Sequence, residues 1–493
     1  MSKNNSLFFF VFLSMFSLSL FFTSCENELD FETGLGSTIT FSNDTVTFDT
    51  IFTTIGSSTR NLMLYNPHSK AINISSVKVA SGGKSGFRVN IDGMNGTEFQ
   101  DVEIWAKDTA YVLIEVTVDP TKQNSPVLIS DSLVFVTNGN TQIVHLIAYG
   151  QDVTIWRGKV IEQDTILTGN KPFLIYDSLF VAPNMTLTLE KGTKLYFHSG
   201  ADMLVKGRIK ATGTYEEPVL FRGDRLDELY PGLLYDNTPG QWGGIHLFGE
   251  SYNNEFEHVY IRSGSYGILA DSSDVSIPKI KLKNSVLHNV SGDLISGKNY
   301  KIEAVNCQLS NAKGALVRLI GGDATFIHCT LANYYAFSSR TSAALVLKNY
   351  IARANDELIL YPLIQATFEN CIIYGTYGGS MYSSGEISLD NKYKDEPVAA
   401  SFNHSFNHCL LGANGEDDND FIQTIWNKNP QFVSLNKKND FVYNFQLDSA
   451  SVARNYGDLS IAYQYPQDLT GKSRVNDEGP DLGCYEYISS MGN

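Results

Sequence analysis

The stretch FIHCTLAN, residues 326–333, sets His328 beside Cys329, and three other segments repeat its pattern: AVNCQLSN around Cys307, FENCIIYG around Cys371 and FNHCLLGA around Cys409. In each, Asn or His precedes the cysteine and an aliphatic residue stands two positions after it. Aligned on the position before the cysteine, His258, Asn284, Asn306, His328, Asn349, Asn370 and His408 follow one another at 26, 22, 22, 21, 21 and 38 residues. A recurring period of this size means stacked supersecondary units, and short alternating segments make each unit one of strands. The next position reads Val259, Ser285, Cys307, Cys329, Tyr350, Cys371 and Cys409. Two further on come Ile261, Leu287, Leu309, Leu331, Ala352, Ile373 and Leu411. Polar, buried, exposed, buried is the alternation of one strand on a coil of about three strands and three turns, which predicts a right-handed parallel β-helix. Tyr350 and Ala352 fit the inward positions poorly, and the loop at 384–399 falls inside the longest interval.

Earlier rungs lack the cysteine but keep the alternation. Across 179–223 the expected inward residues are Leu187, Leu189, Leu195, Phe197, Leu204, Ile209, Val219 and Phe221, with glycines at the corners. The His/Cys pairs themselves suggest metal or redox chemistry only at first sight. They recur once per coil, a strand spacing apart, whereas zinc ligands converge from closely spaced turns. The reading adopted is an internal Cys/Ser stack beside an Asn/His row whose side chains satisfy one another. A disulfide between Cys307 and Cys329 is compatible with an oxidising compartment.

The whole chain bounds the function classes. It has 493 residues, 37 basic against 53 acidic side chains and a net charge of −16, with no basic block. Nucleic acid is excluded as a partner, because phosphate binding needs clustered Lys and Arg. Forty glycines, 14 prolines, and 4 Trp, 26 Tyr and 29 Phe describe a strand-rich, all-β protein with many tight turns.

At the N-terminus Lys3 precedes the apolar run 7–22, which ends in Thr23-Ser24-Cys25. That is the build of a secretory signal, not of a membrane span. Ending on Cys25, it resembles a bacterial lipoprotein signal, with Phe22 where such signals usually carry Leu. The resemblance implies removal of residues 1–24, lipidation of Cys25, a tether at 25–37, and an outer-membrane location facing the extracellular side.

Residues 38–151 contain short alternating segments such as TVTFDTIF, RNLMLYN, YVLIEVTVD and TQIVHLIAYG, the pattern of an antiparallel β-sandwich. Phe52-Thr-Thr-Ile-Gly56, Leu64-Tyr65-Asn66, Val116-Thr-Val-Asp-Pro120 and Leu146-Ile-Ala-Tyr-Gly150 resemble Ig-like domains of the ASPM/SPD-2/Hydin class. The resemblance implies a structural or protein-contacting module without catalytic residues.

From 152 to 450 the β-helix reading holds. Gly207-Arg-Ile-Lys-Ala-Thr-Gly213, Pro218-Val-Leu-Phe221 and Trp242-Gly-Gly-Ile245 resemble bacterial right-handed β-helix proteins of the pectate-lyase-like group. Residues 451–493 are expected to form a C-terminal cap. There Asp468-Leu-Thr-Gly471, Arg474 and Gly479-Pro-Asp-Leu-Gly-Cys-Tyr-Glu486 resemble the terminal motif of secreted β-helix proteins.

Ligand-contact candidates are Trp242, whose ring could stack on a sugar, and Arg222, Asp224 and Arg225 of a polar loop. A second acidic loop spans Gly415 to Asp420. Hydrolysis requires paired carboxylates and lyase chemistry a base beside cation-holding groups, and the chain displays no repeated rung-to-rung Asp pattern. Arg208-Ile-Lys210 matches one tripeptide of β-helix pectin hydrolases, but the companion segments are missing. The expectation is a lipid-anchored surface protein that binds or displays toward glycan, with no metal or cofactor. A polysaccharide lyase or glycosidase, and an adhesin using the Ig-like domain for a protein partner, are the alternatives.

Overall fold

A computed structural model describes residues 30–377, 385–435, 441, 443–476 and 478–487. Cys25 and the N-terminal segment discussed above lie outside the described residues. The chain divides into two compact units, one comprising the residues up to Asp119 with Leu128–Gly150, the other Pro120–Val127 with the chain from Gln151 onward.

In the first unit two five-stranded sheets face each other. One runs in the order Thr40–Phe41, Arg60–Tyr65, Thr109–Val116, Phe87–Ile91, Met94–Gly96; the other Thr45–Phe52, Asn140–Gln151, Val127–Thr137, Ile72–Val79, Glu98–Ile104. Alternation builds the core. In TVTFDTIF, Val46 and Phe48 turn inward, and Phe48 meets Phe87 of the opposite sheet at 5.8 Å between ring centroids. Burying each such side chain stabilises the sandwich by roughly 1.5–3 kcal/mol.

The second unit is a parallel β-helix. Among the described residues 26 strands form its three columns, successive coils pairing in parallel through equivalent strands. The first face includes Asn254–Glu257, Ile280–Lys283 and the second half of Ile295–Val305. The second face includes Val219–Gly223, Val259–Arg262, Val286–Val290, Gln308–Ala312 and Thr330–Asn333. The third includes Asp202–Val205, Ile245–Leu247, Ile268–Ala270 and Leu345–Lys348.

One residue turns the chain from the first face to the second, and it must adopt a left-handed conformation. His258, Asn284, Asn306, His328, Asn370 and His408 have φ of 49, 50, 53, 50, 54 and 47°. Asn tolerates this region best among non-glycine residues, which explains the residue type of the row. Register links them directly: Glu257 pairs with Lys283, Lys283 with Val305, Val305 with Ile327, Ile327 with Glu369 and Glu369 with Asn407. Asn349 is not a rung of this row. His328 is followed by Asn370, and the coil between them carries an excursion, the hairpin Tyr350–Ala352 with Leu358–Leu360. Asn349 is instead buried at its base, donating to the Ala400 carbonyl at 2.9 Å. The misfit of Tyr350 and Ala352 has this cause.

The interior is stacked as well as packed. Phe326, Phe368, Phe406 and Phe421 lie ring over ring at 5.1, 4.7 and 4.9 Å, with interplanar angles of 6, 6 and 2°. Ile261, Leu287, Leu309, Leu331, Ile373 and Leu411 are all in the same core. Leu204 departs from the expected inward set: it is half-buried, and its neighbours Met203 and Val205 face the core. Cys307, Cys329, Cys371 and Cys409 are buried free thiols, so Cys307 and Cys329 form no bridge. Burial pushes the first three well above the ordinary thiol range.

The C-terminal segment lies along the second face. Leu469 and Cys484 pack with Val286 and Tyr260, while Phe432, Phe445, Leu447 and Leu482 pack with Ala332, Ile372 and Leu410. The DLTG tract is a turn closed by Asp468, whose Oδ1 accepts from the Thr470 and Lys472 amides at 2.7 and 2.8 Å and whose Oδ2 accepts from the Glu486 amide at 2.9 Å. Arg474 is fully buried, pairs with Glu486 at 2.5 Å and donates to Asn306 Oδ1 at 3.1 Å. The terminal motif therefore clamps the segment to the turn row.

Candidate functional site

Among the described residues, the C-terminal segment packs on the second face at Tyr260 and Val286 and on later rungs, and a cleft lies at the earlier rungs of that face. Their outward positions are set by register: Lys194 pairs with Leu220, and Leu220 with Tyr260. Tyr260 and Arg262 alternate with the inward Val259 and Ile261 in the tetrad VYIR. Around them the corner loops at 168–170, 190–192 and 216–218 wall a cleft of about 720 Å³.

The cleft mixes charges evenly. Lys191, Lys194 and Arg262 stand against Glu190, Glu216 and Glu217, with Lys191 and Glu217 ion-paired to each other. Tyr260 supplies a half-buried ring, and burial together with the nearby Tyr215 raises its hydroxyl above the ordinary phenol value. A ligand that both donates and accepts hydrogen bonds at many points, and offers an apolar C–H face, meets complementary groups here.

Arg262 is held from behind. Its guanidinium reaches both oxygens of Asp236 at 2.7 Å, and Arg222 Nε approaches the same carboxylate at 3.0 Å. Asp236 comes from the insertion at 224–241, so one carboxylate pinned between two guanidiniums docks that insertion on the face. Next along the row, register sets His288 beside Arg262. Desolvation, helped by the Arg262 charge, pushes this imidazole down to about 4, so it is neutral at neutral pH.

Of the four ligand candidates expected from the sequence, none lines the cleft. Trp242 is 1% exposed, stacks on Phe197 at 4.3 Å and donates from Nε1 to the Arg262 carbonyl at 2.8 Å, so its ring offers no face to a sugar. Arg222 is buried, donating to the Arg225 carbonyl at 2.6 Å as well as pairing with Asp236. Arg225 grips Asp227 through two bonds of 2.7 and 2.6 Å and covers the Tyr235 ring. Asp224 pairs with His198 Nδ1 at 2.7 Å. These residues shape the insertion; the cleft beside it uses Arg262.

The acidic loop at 415–420 closes on itself. Asp418 Oδ1 accepts from the Asp420 and Phe421 amides at 2.8 and 3.0 Å, and Asp417 accepts from Trp426 Nε1 at 3.0 Å. Lys210 approaches Glu255 at 3.9 Å, an exposed pair, while Ile209 between it and Arg208 is core. Among the described residues no group of three or more His, Cys, Asp or Glu side chains is placed to hold a metal ion.

No family model matches the chain, and no curated protein matches it. Among solved structures it is similar over short stretches to a family 123 glycoside hydrolase from Clostridium perfringens, studied for glycolipid glycan hydrolysis. The identity is 8%, the match covers 23% of this chain and 26% of that one, and the TM-score is 0.17. A protein of unknown function from Porphyromonas gingivalis matches at 11% identity over 26% of this chain and 60% of its own, with a TM-score of 0.18. The chain thus spans about a quarter of the hydrolase and 60% of the second protein. At these scores neither likeness bears on activity.

Proposed function

We propose that this is a surface lipoprotein, anchored at the outer membrane through Cys25, that binds glycan in the cleft on the second face of its β-helix. The carrying observation is the cleft itself: three cationic and three carboxylate side chains line it together with the half-buried Tyr260 in about 720 Å³. A sugar hydroxyl donates and accepts at once, and its ring C–H face packs on an aromatic side chain. With no net charge among the lining side chains, a neutral polysaccharide fits better than a polyanion, which would meet the three glutamates.

The anchor reading rests on the Cys25 signal, and the groove reading on geometry, so they are tested separately. Cys25→Ala should release the protein from membranes; unchanged retention counts against lipidation. For the cleft, native gels cast with a panel of neutral and acidic polysaccharides should show retardation on at least one neutral glycan, lost in Tyr260→Ala. Retardation on none overturns the reading. New reducing ends, or unsaturated ends absorbing in the ultraviolet, would turn it into a glycosidase or lyase.

A further inference from the structure

The sandwich unit has a second cleft, unrelated to the glycan reading. It has a volume of about 580 Å³ and is walled by the hairpin of Phe87–Ile91 with Met94–Gly96, by the end of the opposite sheet's strand Glu98–Ile104, and by Thr109–Val116. Two features separate it from ordinary surface.

The first is aromatic exposure on a braced turn. Trp105 is 64% exposed, and Tyr111 and Met94 are each 55% exposed. Trp105 does not sit on a loose loop. The buried Asn66 side chain donates to the carbonyls of Ile104 and Trp105 at 3.0 and 2.9 Å, and the Asp108 amide closes the turn back onto the Trp105 carbonyl at 3.2 Å. An indole held in water gives folding nothing, and with the turn's backbone already fixed its presentation to a partner costs no backbone ordering.

The second is one-sided charge. Asp92, Asp101, Glu103 and Asp108 line the cleft, and no Lys or Arg does. The nearest base in sequence, Lys107, is turned away, its Nζ donating to the Pro67 carbonyl at 2.6 Å. Among the described residues none of the four carboxylates is in a salt bridge. Asp101 accepts from Asn73 at 3.2 Å and Asp108 from the Thr109 amide at 2.7 Å, which leaves the charges uncompensated. Asp92 and Asp101 hold left-handed φ of 50 and 53°.

We infer that this cleft is a docking site for a cationic polypeptide segment, in which an Arg or Lys side chain meets the four carboxylates and the Trp105 face while an apolar neighbour packs on Met94 and Tyr111. Charge complementarity selects the occupant: a guanidinium gains from the carboxylates and from the indole together, whereas a neutral sugar leaves the carboxylates unpaired and a polyanion is repelled. Bare metal ions would use the carboxylates but not the exposed indole.

The test uses the full chain and a fluorescein-labelled peptide of alternating Arg and Leu, read by anisotropy at low and high salt. Saturable binding should weaken with salt, fall about tenfold or more in Trp105→Ala and in the double variant Asp92→Asn with Asp108→Asn, and be absent for the Glu-for-Arg peptide. Tyr463→Ala, an exposed residue of the other unit, should bind normally, and an unchanged melting temperature shows that Trp105→Ala is folded. No saturable binding, or binding indifferent to these variants, overturns the inference. Quenching of Trp105 by neutral oligosaccharide or by calcium alone, without a response to the peptide, does so too.

Discussion

The Asn370 side-chain amide meets His328 Nε2 at 3.1 Å although 42 residues separate the two in the chain. His258 with Asn284 at 3.2 Å and Asn284 with Asn306 at 3.1 Å repeat the contact on other rungs. At these three steps the residues that hold the left-handed turns also hydrogen-bond from coil to coil, so the same side chains secure backbone conformation and stacking. Asn306 is tied in from three sides, donating to Asn284 and to the Gln467 carbonyl at 2.8 Å while accepting from Arg474.

Asn306→Ala should therefore be among the more damaging single changes in the β-helix. It leaves the buried Arg474 short of an acceptor and places Ala in a left-handed turn; together these cost about 2–4 kcal/mol. Asn306→Gly removes the backbone part only and should lie between. Urea denaturation of the three proteins checks the order, and equal midpoints for Ala and wild type would refute it.

Acid should destabilise the fold through two desolvated imidazoles, the buried His328 and the partly exposed His288. Burial holds His328 well below its usual value of 6.5 and His288 down at about 4. Below about pH 6.5 the unfolded chain takes up protons that the folded one refuses, so stability falls as pH falls, by up to ~1.4 kcal/mol per pH unit for each group. His328→Asn keeps a residue suited to the turn and removes one of these sites. Its melting temperature should drop less than that of wild type between about pH 7.5 and pH 5. Identical drops would mean that His328 is protonated without penalty.

Much of this architecture was legible in FIHCTLAN and its relatives, because a parallel coil writes its period into the chain. The inward row from Ile261 to Leu411 and the polar turn row follow from alternation alone. Asn349 deceived because its 21-residue offset matched the period by coincidence; an excursion inside a coil changes length without changing register. The cleft was hidden for a different reason. Lys194, Glu216 and Tyr260 belong to successive coils, and only pairing places them side by side. Tyr260 and Arg262 carried one usable signal, their outward phase beside Val259 and Ile261. Trp242 carried a misleading one, since glycines that flank a large ring accommodate it in the interior as readily as they expose it.

The five described cysteines should be inert in the native protein. All are buried and free, and burial raises Cys484 to about 12 while pushing Cys307, Cys329 and Cys371 well above the usual value. A thiol without thiolate character does not attack disulfide reagents. Ellman's reagent should report none of these five before denaturant is added and all five afterwards; rapid native reaction at any of them, mapped by mass spectrometry, would contradict the stack.

Arg474 decides whether the C-terminal segment stays on the second face. Its guanidinium is fully buried against Glu486, and removing it costs about 3–5 kcal/mol wherever the carboxyl left behind is ionised, because a buried charge is then stranded. Burial already pushes the Glu486 carboxyl up to about 8 against the pull of Arg474. The folded state thus binds an extra proton between about 4.5 and 8, and this group's contribution to stability falls as pH rises through that window. In Arg474→Ala the carboxyl is raised further, so detachment of the segment should worsen from pH 5 to pH 9, whereas adding Glu486→Gln should make it insensitive to pH. Limited proteolysis across that range reads the detachment directly, since the segment is held by its packing and clamps and not by the strand columns. A pH-independent cleavage pattern in Arg474→Ala, or no cleavage at all, would show that the apolar contacts of Leu482, Phe445 and Leu447 hold the segment without the ion pair.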